Sequence, residues 1–234
     1  MAELPRLVFL MLGGNGYSGP IPSSWSSLGQ LRVLSVERNR LTGGIPLSFA
    51  QGLQQLRELR VGTNFLDQVS SLYLQFDLLE HLDMSENKLN GTIPDVLYLM
   101  DSLTTLNLEG NMIFGELSEN IGNLASLENL NLAHNMLGGD VPESIGTMRD
   151  IRRLQIQDNA FSGDFPVNLR QLRRIELLRL DNNRFSRVEN TCRGAENALF
   201  EFYADCAPET GLRCTCCTHC CSQEDGVCSE AGAL

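Results

Sequence analysis

The residues best suited to covalent or metal chemistry lie at one end of the chain. All eight cysteines fall in one segment: Cys192, Cys206, Cys214, Cys216, Cys217, Cys220, Cys221 and Cys228. An even number packed into a short stretch points to disulfides and an oxidising compartment. Two other chemistries are open to the same residues. Cys214, Cys217 and Cys220, with His219 as a further donor, could hold a metal. Their CxxC pairs overlap at Cys217, however, unlike the separated pairs of a zinc ribbon. A redox-active CxxC would be expected in a thioredoxin-like βαβ setting, which the sequence does not show.

Elsewhere the reactive side chains are sparse. The three histidines, His81, His134 and His219, are far apart. His81, Asp83 and Ser85 alternate and would share one face of a strand. Alternate strand residues stand about 6.6 Å apart, so these three are not expected to touch as a hydrolase triad would. Asp83 and Glu109 would lie on adjacent strands, with no burial evident to raise either carboxyl. Asn90-Gly91-Thr92 is an N-glycosylation sequon. No enzyme activity and no cofactor are expected.

The elements that must position these residues follow from an internal period. Asparagines recur at Asn15, Asn39, Asn64, Asn87, Asn111, Asn135, Asn159 and Asn183, spaced by 23 to 25 residues. Each is preceded by apolar residues at minus 11, minus 8, minus 5 and minus 3, as in Met100, Leu103, Leu106 and Leu108 before Asn111. After the Asn come an apolar residue at plus 2, Gly at plus 4 and Pro at plus 7, as in NKLNGTIP at 87–94. The segment after Asn64 lacks that Gly and Pro, and Ser118 replaces the Pro after Asn111. The alternating pair predicts one short strand per repeat, and an irregularity is expected around the third.

This pattern resembles the leucine-rich-repeat family, in its plant-type subclass of cell-surface receptors and secreted inhibitors, over about residues 4–190. The resemblance implies an α/β solenoid of about eight repeats. A curved parallel sheet would line its concave face, and 3₁₀ or loop segments its convex side. The repeat Asn would bridge the buried turn backbones of neighbouring repeats. The expected division is a solenoid over 1–190, a C-terminal cap over 191–210 and a Cys-rich tail over 211–234. Leu4 already occupies the first motif position, so the chain is expected to begin inside a longer array, downstream of the usual paired-Cys cap and signal peptide. The run Cys214–Cys221 resembles the Cys-rich ending after leucine-rich repeats in many microalgal, notably diatom, proteins. Phe200 and Phe202 alternate like one last strand, and Cys192–Cys206 is the expected staple of the cap.

Positions minus 6, minus 4 and minus 2 should point out of the concave sheet. They place Glu58, Arg60, His81, Asp83, Asn107, Glu109, Asn129, Asn131, Arg153, Gln155, Arg179 and Asp181 on one face. Such a surface suits hydrogen bonding to a protein, peptide or carbohydrate, and would equally suit a plain solvated face. Phe9, Met11 and Val33, at its start, read as contacts for preceding repeats. Asp and Glu number 29 against 18 Lys and Arg, a net charge of −11, which argues against nucleic acid. No apolar run is long enough to span a bilayer. The reading is a non-catalytic, extracellular or cell-surface recognition module of a receptor-like protein, glycosylated at Asn90. The alternative is a secreted inhibitor of a foreign hydrolase, of the polygalacturonase-inhibitor kind. A metal-binding or redox role for the tail is the third reading.

Overall fold

The computed structural model describes residues 4–68, 76–166, 172–188, 201–206, 217–222 and 228–230. Each of the eight repeats contributes a three-residue strand to one sheet. They are β1 (Phe9–Met11), β2 (Val33–Ser35), β3 (Glu58–Arg60), β4 (His81–Asp83), β5 (Thr105–Asn107), β6 (Asn129–Asn131), β7 (Arg153–Gln155) and β8 (Leu177–Arg179). All pair in parallel and in phase, so that Leu10, Leu34, Leu59, Leu82, Leu106, Leu130, Leu154 and Leu178 form one buried row. Alternation explains this: the central Leu of each strand faces the core and its two neighbours face out.

The sheet runs past the repeats. β9 (Glu201–Ala204) sets fully buried Phe202 beside Leu178. β10 (His219–Cys221) continues in parallel, and β11 (Cys228–Glu230) turns back antiparallel. The tail therefore extends the sheet, which the sequence did not predict. Its cross-links also differ from expectation. Cys206 pairs with Cys220, not with Cys192, and Cys221 pairs with Cys228. Register accounts for the first pair: Cys206 follows β9 and Cys220 lies on the adjoining strand, where Ala204 faces it. Cys217 is also disulfide-bonded. Cys192, Cys214 and Cys216 lie outside the described residues.

The asparagine ladder satisfies the turn backbones. From Asn39 to Asn183, each Nδ2 donates to the carbonyl three residues earlier and to its equivalent one repeat back. Asn111, for example, reaches Leu108 O at 3.0 Å and Met84 O at 3.1 Å. Each Oδ1 accepts a backbone N–H from the preceding repeat, as that of Asn111 does from Leu89 N–H at 3.0 Å. The residue just before each Asn is left-handed, with φ between 51° and 70°. Six of these eight are not Gly: Arg38, Thr63, Glu86, His134, Asp158 and Asn182.

Beyond each Asn the chain forms a second, lateral strand. These assemble into a three-stranded sheet (Ser18–Pro20, Arg40–Gly43, Phe65–Leu66) and a five-stranded one (Asn90–Gly91, Met112–Glu116, Met136–Asp140, Ala160–Asp164, Arg184–Arg187). Gly at plus 4 has positive φ in six repeats, from 70° to 140°. The two repeats without it are where the sheet is irregular. At Gln68 only an isolated bridge to Asn90 links the two sheets, and at Arg187 the register shifts. Pro22, Pro94 and Pro142 precede 3₁₀ turns, as their fixed φ favours. Ser118 compensates for its missing Pro by accepting a hydrogen bond from Asn120 N–H at 3.2 Å. The longest repeat instead carries a short α-turn, Phe49–Gly52. A Cβ on Gly52 would lie 2.0 Å from the Ser26 carbonyl oxygen, so only glycine fits there.

Candidate ligand-binding face

The outward side chains of β1–β8 build the candidate site in columns one residue wide. β1 begins it with Phe9 and Met11, 61% and 68% exposed. From β3 onward the face is polar but for Leu177 on β8, and most of its polar groups are already engaged. Glu58 pairs with Arg60. Arg179 grips Asp181 through Nε at 3.2 Å and Nη2 at 2.7 Å, and its guanidinium lies 4.9 Å from the centre of the Tyr203 ring. Asp83, Asn107 and Asn131 each accept the backbone N–H two residues on, at 3.0 to 3.1 Å. Asn131 Nδ2 also donates to Glu109 at 2.7 Å, and Asn129 Nδ2 reaches Thr105 Oγ1 at 3.4 Å.

Ser85 Oγ donates to Asp83 Oδ1 at 2.7 Å, a contact that the spacing of an extended strand excluded. The strand ends at Asp83, and the turn that follows carries Ser85 back over the carboxylate. His81 is half-buried. Burial, and then the charge of Arg60, hold its pKa below the ordinary 6.5, so the imidazole is neutral at neutral pH. Ser85 Oγ donates its hydrogen bond to Asp83 rather than to this ring.

The three columns differ in depth. In the minus 2 column Ala133, Gln157 and Asp181 are all buried, Asp181 beneath Arg179. Among the described residues, the side chains of Arg153 and Gln155 make no hydrogen bond or ion pair, and Arg153 is exposed. Within β6–β8 they are the outward polar side chains left open; on β4 the neutral imidazole of His81 likewise has no hydrogen bond or ion pair among the described residues.

Two residues of this face escaped the sequence reading. Tyr203 pairs in register with Arg179, and His219 with Tyr203, their rings stacked 4.2 Å apart. Tyr203 was within reach, since it follows Arg179 by one repeat length. His219 had no such signal, because β10 follows β9 out of period. In the described tail Cys220 bonds to Cys206 and Cys217 is also disulfide-bonded, so neither offers a free thiolate. Asp181, Cys221 and Cys228 also cluster, but the two sulfurs are bonded to each other.

The chain matches the family model described as leucine-rich repeat region over residues 16–221. It belongs to the leucine-rich-repeat family. Receptor-like protein 41 of Arabidopsis thaliana is 30% identical over 128 residues, which are 43% of this chain and 14% of that protein. Receptor-like protein 35 of the same plant is 36% identical over 93 residues, 39% of this chain and 10% of that protein. The leucine-rich-repeat chain thus spans a small part of the curated relatives it matches. Among solved structures, the PEPR1-AtPEP1 crystal structure is 31% identical with a TM-score of 0.72, covering 80% of this chain and 26% of that one. The Arabidopsis receptor kinase HAESA in complex with the peptide hormone IDA and the co-receptor SERK1 is 26% identical with a TM-score of 0.75, covering 98% and 36%. No helix among the described residues is long and apolar enough to cross a membrane.

Proposed function

We propose that this leucine-rich-repeat chain is the non-catalytic, extracellular ligand-recognition part of a receptor-like protein, and that it takes a peptide along β6–β8 of the concave face. The observation that carries this reading is the contrast between engaged and open groups. Arg153 and Gln155 stand uncommitted on rigid strands, flanked by amides of β6 and the Arg179–Asp181 pair of β8. An extended peptide presents alternating N–H and C=O groups, which the amides of Asn129 and Gln155 can meet with either a donor or an acceptor. Arg153 adds a forked donor for a carboxylate. Likeness to structures of PEPR1 with AtPEP1 and of HAESA with a peptide hormone supports a peptide over a carbohydrate. The oxidised tail cysteines support an extracellular setting.

Selection of a random peptide library on the secreted protein tests the reading. Peptides recovered on the wild type should lose at least tenfold in affinity on a protein carrying Arg153→Ala and Gln155→Ala. They should bind unchanged to a lateral-face control such as Ser162→Ala. Equal binding to the double variant would overturn the assignment of this face.

A further inference from the structure

The lateral sheets carry a second surface that the concave face does not use. Outward between the third and sixth repeats stand Phe65, Lys88, Asn90, Met112, Phe114 and Met136, with the exposed carboxylate of Glu116 closing the row on the strand of Met112 and Phe114. Phe65, Met112, Phe114 and Met136 are 44%, 41%, 44% and 52% exposed. The register makes them continuous: Asn90 stands directly beside Met112, and Phe114 directly beside Met136. Met112 and Phe114 alternate on one strand and therefore share a face. Lys88 Nζ lies over the Phe65 ring, 4.8 Å from its centre, and covers that end. Met112, Phe114 and Met136 remain open, and contiguous exposed apolar surface on a sheet calls for a covering group.

The sequon lies at the edge of that strip. Asn90 and Thr92 are both exposed, and among the described residues neither side chain is engaged in a hydrogen bond. We propose that Asn90 carries an N-linked glycan whose first sugar lies against Met112 and Phe114, so that the modification covers the lateral apolar strip. The proposal rests on the extracellular reading. The donor is a lipid-pyrophosphate-linked oligosaccharide of the secretory pathway. Asn90 Nδ2 forms a bond to the sugar C1, the bond from C1 to the pyrophosphate oxygen breaks, and the pyrophosphate leaves with the electron pair. The amide loses one proton, and nothing is oxidised or reduced. Neighbouring strands are about 4.8 Å apart and alternate residues about 6.6 Å, so Met112 and then Phe114 come within one sugar of Asn90. A pyranose ring has one face of C–H groups, which suits the negative face of a phenyl ring.

The test uses the full chain secreted from a eukaryotic host, with the Asn90 peptide weighed by mass spectrometry. An endoglycosidase that leaves one sugar is compared with Asn90→Gln. Fluorescence of an anilinonaphthalene sulfonate dye reports open apolar surface. The one-sugar form should keep it low, and Asn90→Gln should raise it at least twofold. Adding Met112→Ser, Phe114→Ser and Met136→Ser to Asn90→Gln should return it to the low level. In NMR spectra the first sugar's ring protons should move upfield, and Phe114→Leu should abolish that shift. Unmodified Asn90 in a protein whose tail cysteines are oxidised overturns the proposal alone, whereas free tail thiols in the secreted protein would overturn the extracellular reading itself. A glycan at Asn90 that changes neither dye binding nor ring-current shifts also overturns it.

Discussion

The middle of the array and its C-terminal end solve the same problem with different chemistry. In the middle, every left-handed residue before the repeat Asn donates its N–H to a carbonyl of the next repeat, as Glu86 does to Glu109 O at 2.7 Å. After Asn183 the described chain has no such repeat. The buried carboxylate of Asp205 takes that place, accepting Asn182 N–H at 2.7 Å and Asn183 N–H at 3.1 Å. Phe202 fills the leucine slot, and two disulfides tie β9 to β10 and β10 to β11. A repeat interior is thus stabilised by its neighbours, and the end by a substitute acceptor and covalent links.

The largest expected break lies in the interior. Leu106→Asp buries a charge with no partner and should cost more than about 5 kcal/mol, enough to unfold the array. The adjacent Asn107→Ala should cost only about 1 kcal/mol, because its side chain is on the outward face and gives up a single hydrogen bond from Glu109 N–H. Equal melting temperatures for the two would show the inward and outward assignment to be wrong. Asn111→Ala removes one rung and leaves buried amides and carbonyls unpaired, at about 3–5 kcal/mol. Denaturant unfolding measures it, and a loss below 1 kcal/mol would mean that water replaces the side chain.

At the end the effect should be smaller and local. Asp205→Ala strands two backbone amides, a cost of about 2–3 kcal/mol. Hydrogen exchange should quicken first in β8, with β3–β5 unchanged, and reduction of the disulfides should act on the same strands. Uniform loss of protection would refute nearest-neighbour coupling. His81 gives a weaker, pH-dependent contrast. Its folded pKa lies below the unfolded value, so its contribution is intact above pH ~6.5 and declines as pH falls from there toward the folded pKa. His81→Gln should flatten that segment of the stability curve, and an NMR titration midpoint at or above 6.5 would contradict it. Smallest of all, Thr63→Gly should stabilise by no more than about 0.5 kcal/mol, since relief at positive φ outweighs the extra freedom of the unfolded chain. The equivalent Gly110→Ala should destabilise by about 1 kcal/mol. The same sign for both would exclude backbone strain as the cause.

Much of the array was legible because its signals are side chains at a fixed period. The Leu rows, the Asn rungs and the plus 4 glycines each have a residue type that the backbone demands. The left-handed positions were not legible, because the neighbouring repeat imposes them and Arg, Thr, Glu, His, Asp and Asn all comply. The Cys206–Cys220 pairing could not be read either, since spacing alone does not fix connectivity. It follows from β10 joining the sheet, which no period announces. On the candidate face, sequence placed Arg153 and Gln155 outward, yet could not tell that Arg179 is committed to Asp181 and Glu109 to Asn131.

The two sheets also advance differently. In the main sheet equivalent residues stand opposite one another, Leu106 beside Leu130. In the lateral sheet Phe114 stands beside Met136 and Gly138 beside Ala160, two residues out of phase at both steps. Two residues are about 6.6 Å of strand, set against about 4.8 Å between strands. One wall is therefore shingled while the other runs level: the lateral strands lie oblique to the direction of stacking, and those of the main sheet lie across it. Deleting one repeat would draw the two ends closer by one strand spacing, about 4.8 Å, and a partner spanning both ends would lose its alignment even with every contact residue intact.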